Sequence, residues 1–148
     1  MSPDDAQPAA RRGVPAGLLR RLAAMVYDTM LIIALWMFTL FPMVAVSNDF
    51  VYGAAVRSVL FLEMFGFFAY FWVSRGQTLG MLAWGLEVCS ADGSPFTLTQ
   101  ATLRFCGALA SFACLGLGYL WILIDRDNRS WSDLLSGSRV LRVPKAAR

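Results

Sequence analysis

Five side chains carry most of the chemistry this chain can offer in or beside its apolar stretches: Arg21, Asp28, Glu63, Arg104 and Asp133. An ionisable group placed in a bilayer costs roughly 3 kcal/mol on insertion scales, so each needs a partner or a task. Asp28 follows Arg21 by seven residues. On one helix that is two turns, which puts both on one face about 10.5 Å apart along the axis. At that spacing they do not touch. Asp28 is therefore expected to pair with an arginine of another segment, with Arg104 as the candidate, because a paired buried ion fixes register. The alternative is that Asp28 is a site for a monovalent cation or a proton.

Glu63 falls near the middle of a second apolar stretch. It reads as a neutral, buried carboxylic acid, the alternative being a proton carrier facing the bundle. Asp133 stands in Ser130-Trp131-Ser132-Asp133, followed by Leu-Leu-Ser-Gly. That pattern predicts a short helix with Ser130 as N-cap, Asp133 three residues in and Gly137 closing it. The cluster Asp125, Arg126, Asp127 and Arg129 reads as a solvated interface.

Other chemistry has little to build on. The chain has no histidine and three cysteines, Cys89, Cys106 and Cys114. No metal spacing and no CxxC pair occurs, so the cysteines read as small packing residues. No phosphate-binding loop or nucleophile motif is present, and the glycines of Gly116–Leu120 follow no strand. We expect no catalytic residue, no metal, no cofactor and no nucleic-acid partner, and hence no enzyme.

The elements that hold these residues are apolar. Of 148 residues, 57% are hydrophobic and 16% charged, more apolar surface than so small a soluble domain can bury. Residues 29–48 and 105–124 carry no charge, and about 20 apolar residues suffice to span a bilayer. The expected fold is an all-α membrane protein: a small transmembrane helical bundle of three hydrophobic segments, about 22–46, 51–73 and 97–125. Residues 1–17 read as a disordered tail, 18–143 as one membrane domain, and 144–148 as a C-terminal tail. Residues 85–99 read as a short cytoplasmic β-hairpin around Asp92-Gly93.

Arginine and lysine gather before the first segment and after the third, which places both ends in the cytoplasm of a bacterial inner membrane. Three full crossings would separate the ends. The third segment is therefore expected to be re-entrant, broken at Leu115-Gly116-Leu117-Gly118, the alternative being three clean crossings.

Three stretches together, RRLAAMVYDTMLI, GQTLGMLAWGLEVCSADGSPFTLTQATLRF and GYLWILIDRDNRSWSDLLSGSRV, resemble the RDD family of small bacterial membrane proteins over about residues 17–143. The resemblance implies a signature of one arginine and two aspartates, matching Arg21, Asp28 and Asp133. It also implies three predicted spans. Where many relatives carry a histidine before the last aspartate, this chain has Ser132. Some relatives are linked to cation/proton exchange.

Two functions follow as expectations. One is transport such as cation/proton exchange, with Asp28 as the carboxylate and a homo-oligomer to provide alternating access. The other is a non-catalytic membrane scaffold or accessory protein in which Arg21, Asp28, Arg104 and Asp133 form a structural ion-pair network.

Overall fold

A computed structural model describes residues 13–47 and 52–143. Two long helices dominate: α1, Leu18–Ser47, and α2, Ala54–Arg75. Both are long and apolar enough to cross a membrane. They lie within a few residues of the expected first and second segments. Pro42 sits inside α1, five residues before its end. Proline is tolerated in a membrane helix because neighbouring groups re-satisfy the freed backbone.

Short elements follow. Helix α3, Leu79–Trp84, is capped by the Thr78 side chain. Helix α4, Leu98–Ala113, opens on a capping box of Thr97 and Gln100. Helix α5, Leu117–Leu120, runs into a 3₁₀ turn, Trp121–Leu123. The chain bends by 108° between α4 and α5–3₁₀, at the glycine-bearing break expected from the sequence. Leu115 and Gly116 both take positive φ there. The described residues thus hold two candidate spans, or three if the bent pair counts as one. Helix α6, Trp131–Ser136, ends the helical part.

The all-α expectation needs correction. Three strands, β1 Val14–Pro15, β2 Leu86–Ser90 and β3 Ser138–Arg142, form a sheet in the order β1-β3-β2, antiparallel throughout. The expected 85–99 hairpin does not form. Asp92-Gly93 does turn, with Gly93 N–H donating to the Ser90 carbonyl at 3.2 Å. Pro95 then offers no ladder donor, and Thr97 with Gln100 starts a helix instead of a return strand. The partner of β2 comes from the far end of the chain, with Val88 opposite Val140.

The tail assignment also shifts. Residues 1–12 lie outside the described residues, as do 48–51, which hold most of the expected outer loop, and 144–148. Val14–Pro15 pair with Leu141–Arg142, and Ala16 is buried with its N–H donating to the Val140 carbonyl. Residues 14–17 therefore belong to the fold, and both ends of the described chain meet in one sheet.

The outside is apolar and much of the inside is not. Phe38, Phe41 and Ile124 are each more than 70% exposed, as a lipid-facing surface requires. Cys106 and Cys114 are also exposed, so they lie on the outer face and not in packing as expected; all three cysteines are free. A modest core of Ala24, Ala69, Trp72, Met81, Phe105 and Val140 joins the helices to the sheet. Phe105 meets Phe61, Phe65 and Phe68 of α2 at ring-centroid distances of 5.7, 5.2 and 6.3 Å.

Small residues set the closest approaches. A Cβ on Gly80 would overlap the Ala24 carbonyl oxygen and stand 2.8 Å from Asp28 Cγ. Overpacking of this kind costs about 1–3 kcal/mol. Gly80→Ala should therefore lower the melting temperature of the purified protein in detergent. Gly66→Ala, where a Cβ meets nothing within 4 Å, should leave it unchanged or raise it.

Candidate functional site

Asp133 occupies the centre of the polar interior, with 1% of its surface exposed. Its place is set locally. Ser130 caps α6, and Asp133 returns the favour: Ser130 N–H donates to Asp133 Oδ2 at 3.0 Å, while Asp133 N–H donates to Ser130 Oγ at 3.4 Å. Gly137 closes the helix in the left-handed conformation. This capping box is the one expected from the sequence.

Two arginines from distant elements then converge on the same carboxylate. Arg21 of α1 donates through Nη1 to Asp133 Oδ2, and Arg104 of α4 donates through Nη1 to Asp133 Oδ1. Arg21 also donates from Nε to the Ala16 carbonyl at 3.1 Å and from Nη2 to the Asn128 carbonyl at 2.7 Å. Arg104 adds Ser138 Oγ at 3.0 Å and lies over the Trp72 ring, 5.2 Å from its centroid. One carboxylate thus ties α1, α4, α6 and the ends of β1 and β3 together. Burial opposes the charge on Asp133, but Arg104 and Arg21 outweigh it and hold the carboxyl below its ordinary range.

Packing around this centre is close because the side chains are small. A Cβ on Gly107 of α4 would stand 2.7 Å from Ser132 Cα. Ser130, Ser132, Ser136 and Ser138 are all buried, and they satisfy one another: Ser130 Oγ to Ser132 Oγ at 2.8 Å, Ser136 Oγ to Ser138 Oγ at 2.6 Å. Hydroxyls donate and accept at once, so a serine cluster can be dry and still satisfied.

Asp28 is not part of this centre. The expected pairing of Asp28 with Arg104 is replaced by two neutral donors. Thr78 Oγ1 donates to Asp28 Oδ2 at 2.5 Å, and Gly80 N–H donates to Oδ1 at 2.8 Å. Asp28 thereby anchors the first turn of α3 against α1. The close approach at Gly80 is what brings that N–H within reach. Sequence reasoning missed Thr78 and Gly80. The signal available was the pattern Thr78-Leu79-Gly80-Met81, a capping threonine opening a helix with a glycine in its first turn.

Glu63 lies elsewhere again, half-buried between the long helices. Thr39 of α1 donates to its Oε1 at 2.7 Å, and Oε2 has no partner among the described residues. Nearby, Trp36 Nε1 donates to the Leu60 carbonyl at 3.0 Å. The 125–129 cluster is a local ion pair outside the centre: Arg129 Nε donates to Asp125 Oδ2 at 3.1 Å. That hydrogen bond holds the Asp125 carboxyl below its ordinary range. Of the sequence candidates, then, Arg21, Arg104 and Asp133 come together, while Asp28 and Glu63 stand apart. Among the described residues no three metal-ligating side chains cluster.

The model of the RDD family matches residues 15–137, from the second residue of β1 to the glycine that closes α6. No curated protein and no solved structure matches the chain.

Removing Asp133 leaves two buried guanidiniums uncompensated. Asp133→Ala should cost about 3–5 kcal/mol, seen as early melting in detergent. The pH dependence follows from the depressed value. An acid that binds protons more weakly folded than unfolded contributes its full stability above the unfolded value of about 3.9, and loses it as pH falls through the folded value. Melting temperature should be insensitive to this group from pH 7 to 5 and fall below about pH 4. Arg21→Lys should not rescue Arg21→Ala fully, because a single ammonium cannot reach Ala16, Asn128 and Asp133 in the same fork geometry.

Proposed function

The chain belongs to the RDD family, a membrane family, and on that premise we propose that it is a non-catalytic scaffold or accessory protein of the bacterial inner membrane. In this reading its arginine and aspartate signature is structural. The observation that carries it is engagement of both carboxylates. Both oxygens of Asp133 and both oxygens of Asp28 are engaged by donors within the chain, so an ion at either carboxylate must share or displace those donors. A transport acid must exchange its partners; these two are held by backbone and side-chain groups that the fold itself requires.

The proposed orientation has both ends in the cytoplasm. Two things support it: β1 and β3 pair in one sheet, and basic residues concentrate at both ends of the sequence, the sign expected of cytoplasmic flanks. With the ends on one side, α1 and α2 cross and the bent α4–α5 pair returns to the face it left. The lipid bilayer is then the principal partner, with a homo-oligomer formed through the exposed apolar faces.

A second reading rests on Glu63. Its Oε2 is the unpaired carboxylate oxygen among the buried atoms of the described residues. Proton or monovalent-cation exchange, if the protein performs it, would use Glu63 and not Asp28.

Two measurements separate these readings. In proteoliposomes the wild-type protein should show no sodium- or potassium-driven proton movement above protein-free vesicles. Movement that is lost in Glu63→Gln and kept in Asp28→Asn would instead establish the second reading. In cells, Arg21→Ala and Asp133→Ala should each lower the amount of protein in the membrane several-fold. Normal levels of both variants would overturn the scaffold reading. Reporter fusions at residue 95 and at the C-terminus should both report the cytoplasm.

A further inference from the structure

A cavity of about 480 Å³ lies between β1, β3, the turn after β2 and the loop that leads into α6. Ligand sites usually measure about 300–1,000 Å³. The charged side chains lining it are Arg21, Asp92, Asp127, Arg129 and Arg139. Three arginines against two aspartates leave positive charge in excess.

Most of these charges are already spoken for. Arg21 is paired with Asp133. Asp92 accepts from Ser90 Oγ at 2.6 Å, from the Ser94 N–H at 3.0 Å and from Ser94 Oγ at 2.7 Å. Arg129 holds Asp125 through Nε and Nη2, and Asp127 through Nη2 at 3.4 Å. Its Nη1 makes no hydrogen bond among the described residues. Arg139 is the remainder. It stands opposite Cys89 in the strand pair and is exposed. Cys89 Sγ donates to its backbone carbonyl at 3.8 Å, but its guanidinium forms no ion pair or hydrogen bond among the described residues. A guanidinium without a counter-ion, opening on a cavity, offers a fork of donors that matches a phosphate.

The neighbouring side chains set the depth. Pro15 lines the cavity, and Leu19, within a few residues of it, is exposed and apolar. On the other side, Asp127 and Arg129 follow Leu123 and Ile124, which are also exposed and apolar. Trp121, partly exposed, precedes them, and tryptophan favours headgroup depth. The cavity therefore lies where two lipid-facing elements leave the apolar layer, which is the level of phospholipid phosphates.

We propose that this cavity binds the phosphate of an anionic phospholipid headgroup, with Arg139 as the anchoring donor and Arg129 Nη1 as the second. The excess positive charge favours a headgroup that carries no ammonium of its own. The site uses none of Asp28, Glu63 and Asp133, so it stands apart from the choice between the scaffold and transport readings.

The test uses the full chain in an alkyl maltoside, an uncharged detergent, at one fixed ionic strength. Melting temperature is titrated with dioctanoyl phosphatidylglycerol, with dioctanoyl phosphatidylcholine and with glycerol phosphate. Ligand binding to the folded state raises the melting temperature in proportion to occupancy. Phosphatidylglycerol should give a saturable rise at a lower concentration than phosphatidylcholine, and glycerol phosphate should give none. Arg139→Gln should weaken phosphatidylglycerol about 5-fold, the effect of one cation at a membrane surface. Arg142→Gln removes an exposed arginine of the same strand that does not line the cavity, and should leave the affinity unchanged. Both variants should melt near the wild type without lipid, because both side chains are exposed. Equal weakening by Arg139→Gln and Arg142→Gln would mean diffuse surface attraction, and an equal response to glycerol phosphate would mean a soluble phosphate ligand. Either result, no saturable rise with phosphatidylglycerol, or an equal affinity for phosphatidylcholine would overturn the proposal.

Discussion

The carboxylate of Asp133 sits in the protein interior between two guanidiniums, and the rest of the structure is arranged around that fact. A charge taken out of water is tolerated only when it is paired and hydrogen-bonded. Asp133 meets the requirement with Arg21, Arg104 and the Ser130 N–H. Each of these groups arrives from a different part of the chain. The start of α1, the middle of α4 and the start of α6 must therefore converge on one point, and the strands flanking α1 and α6 are drawn together into the same sheet.

That convergence explains the unusual distribution of residue types. Large apolar side chains such as Phe38, Phe41 and Ile124 are turned outward, where lipid makes their exposure favourable. The interior near Asp133 is rich in small residues: Ser130, Ser132, Ser136, Ser138 and Gly107. In lipid there is no hydrophobic drive between helices, so association relies on close packing and hydrogen bonds. Gly80 against Ala24 and Gly107 against Ser132 supply the first; the paired serines supply the second. The break at Leu115 and Gly116 follows from the same economy of space. It turns the chain back by 108° so that α6 reaches the arginines.

Asp28 shows how a signature residue can belong to a different task from its neighbour. It shares a helix face with Arg21, yet its oxygens serve Thr78 and Gly80. The two residues hold α1 to two different partners, α3 through Asp28 and α6 through Arg21. Together they fix both the depth and the rotation of α1. Arg104 is tied to Asp133 through Nη1, and its Nε, beside Trp72, has no partner among the described residues.

Much of the helical framework was legible in the chain itself. The apolar runs located α1, α2 and the third segment because a span needs a nearly uninterrupted apolar stretch, which is a local property. Ser130, Asp133 and Gly137 announced α6, and the glycines at 116 and 118 announced the break, because caps and bends depend on neighbours within a few residues. The pairing of β2 with β3 was not legible. Asp92-Gly93 is a sound local turn signal, but a turn does not name its strand partner, and β3 lies some 50 residues away along the chain. The ion pairs were hidden for the same reason. Arg21 reaches Asp133 across 112 residues of sequence, while Asp28, two turns further along the same helix, meets only neutral donors. Sequence by itself determined where the helices run, that both ends of the chain are basic and which charges need partners. Only the tertiary structure decided which charge meets which, because electrostatic pairing and strand register depend on distance in space, and local patterns carry no measure of it.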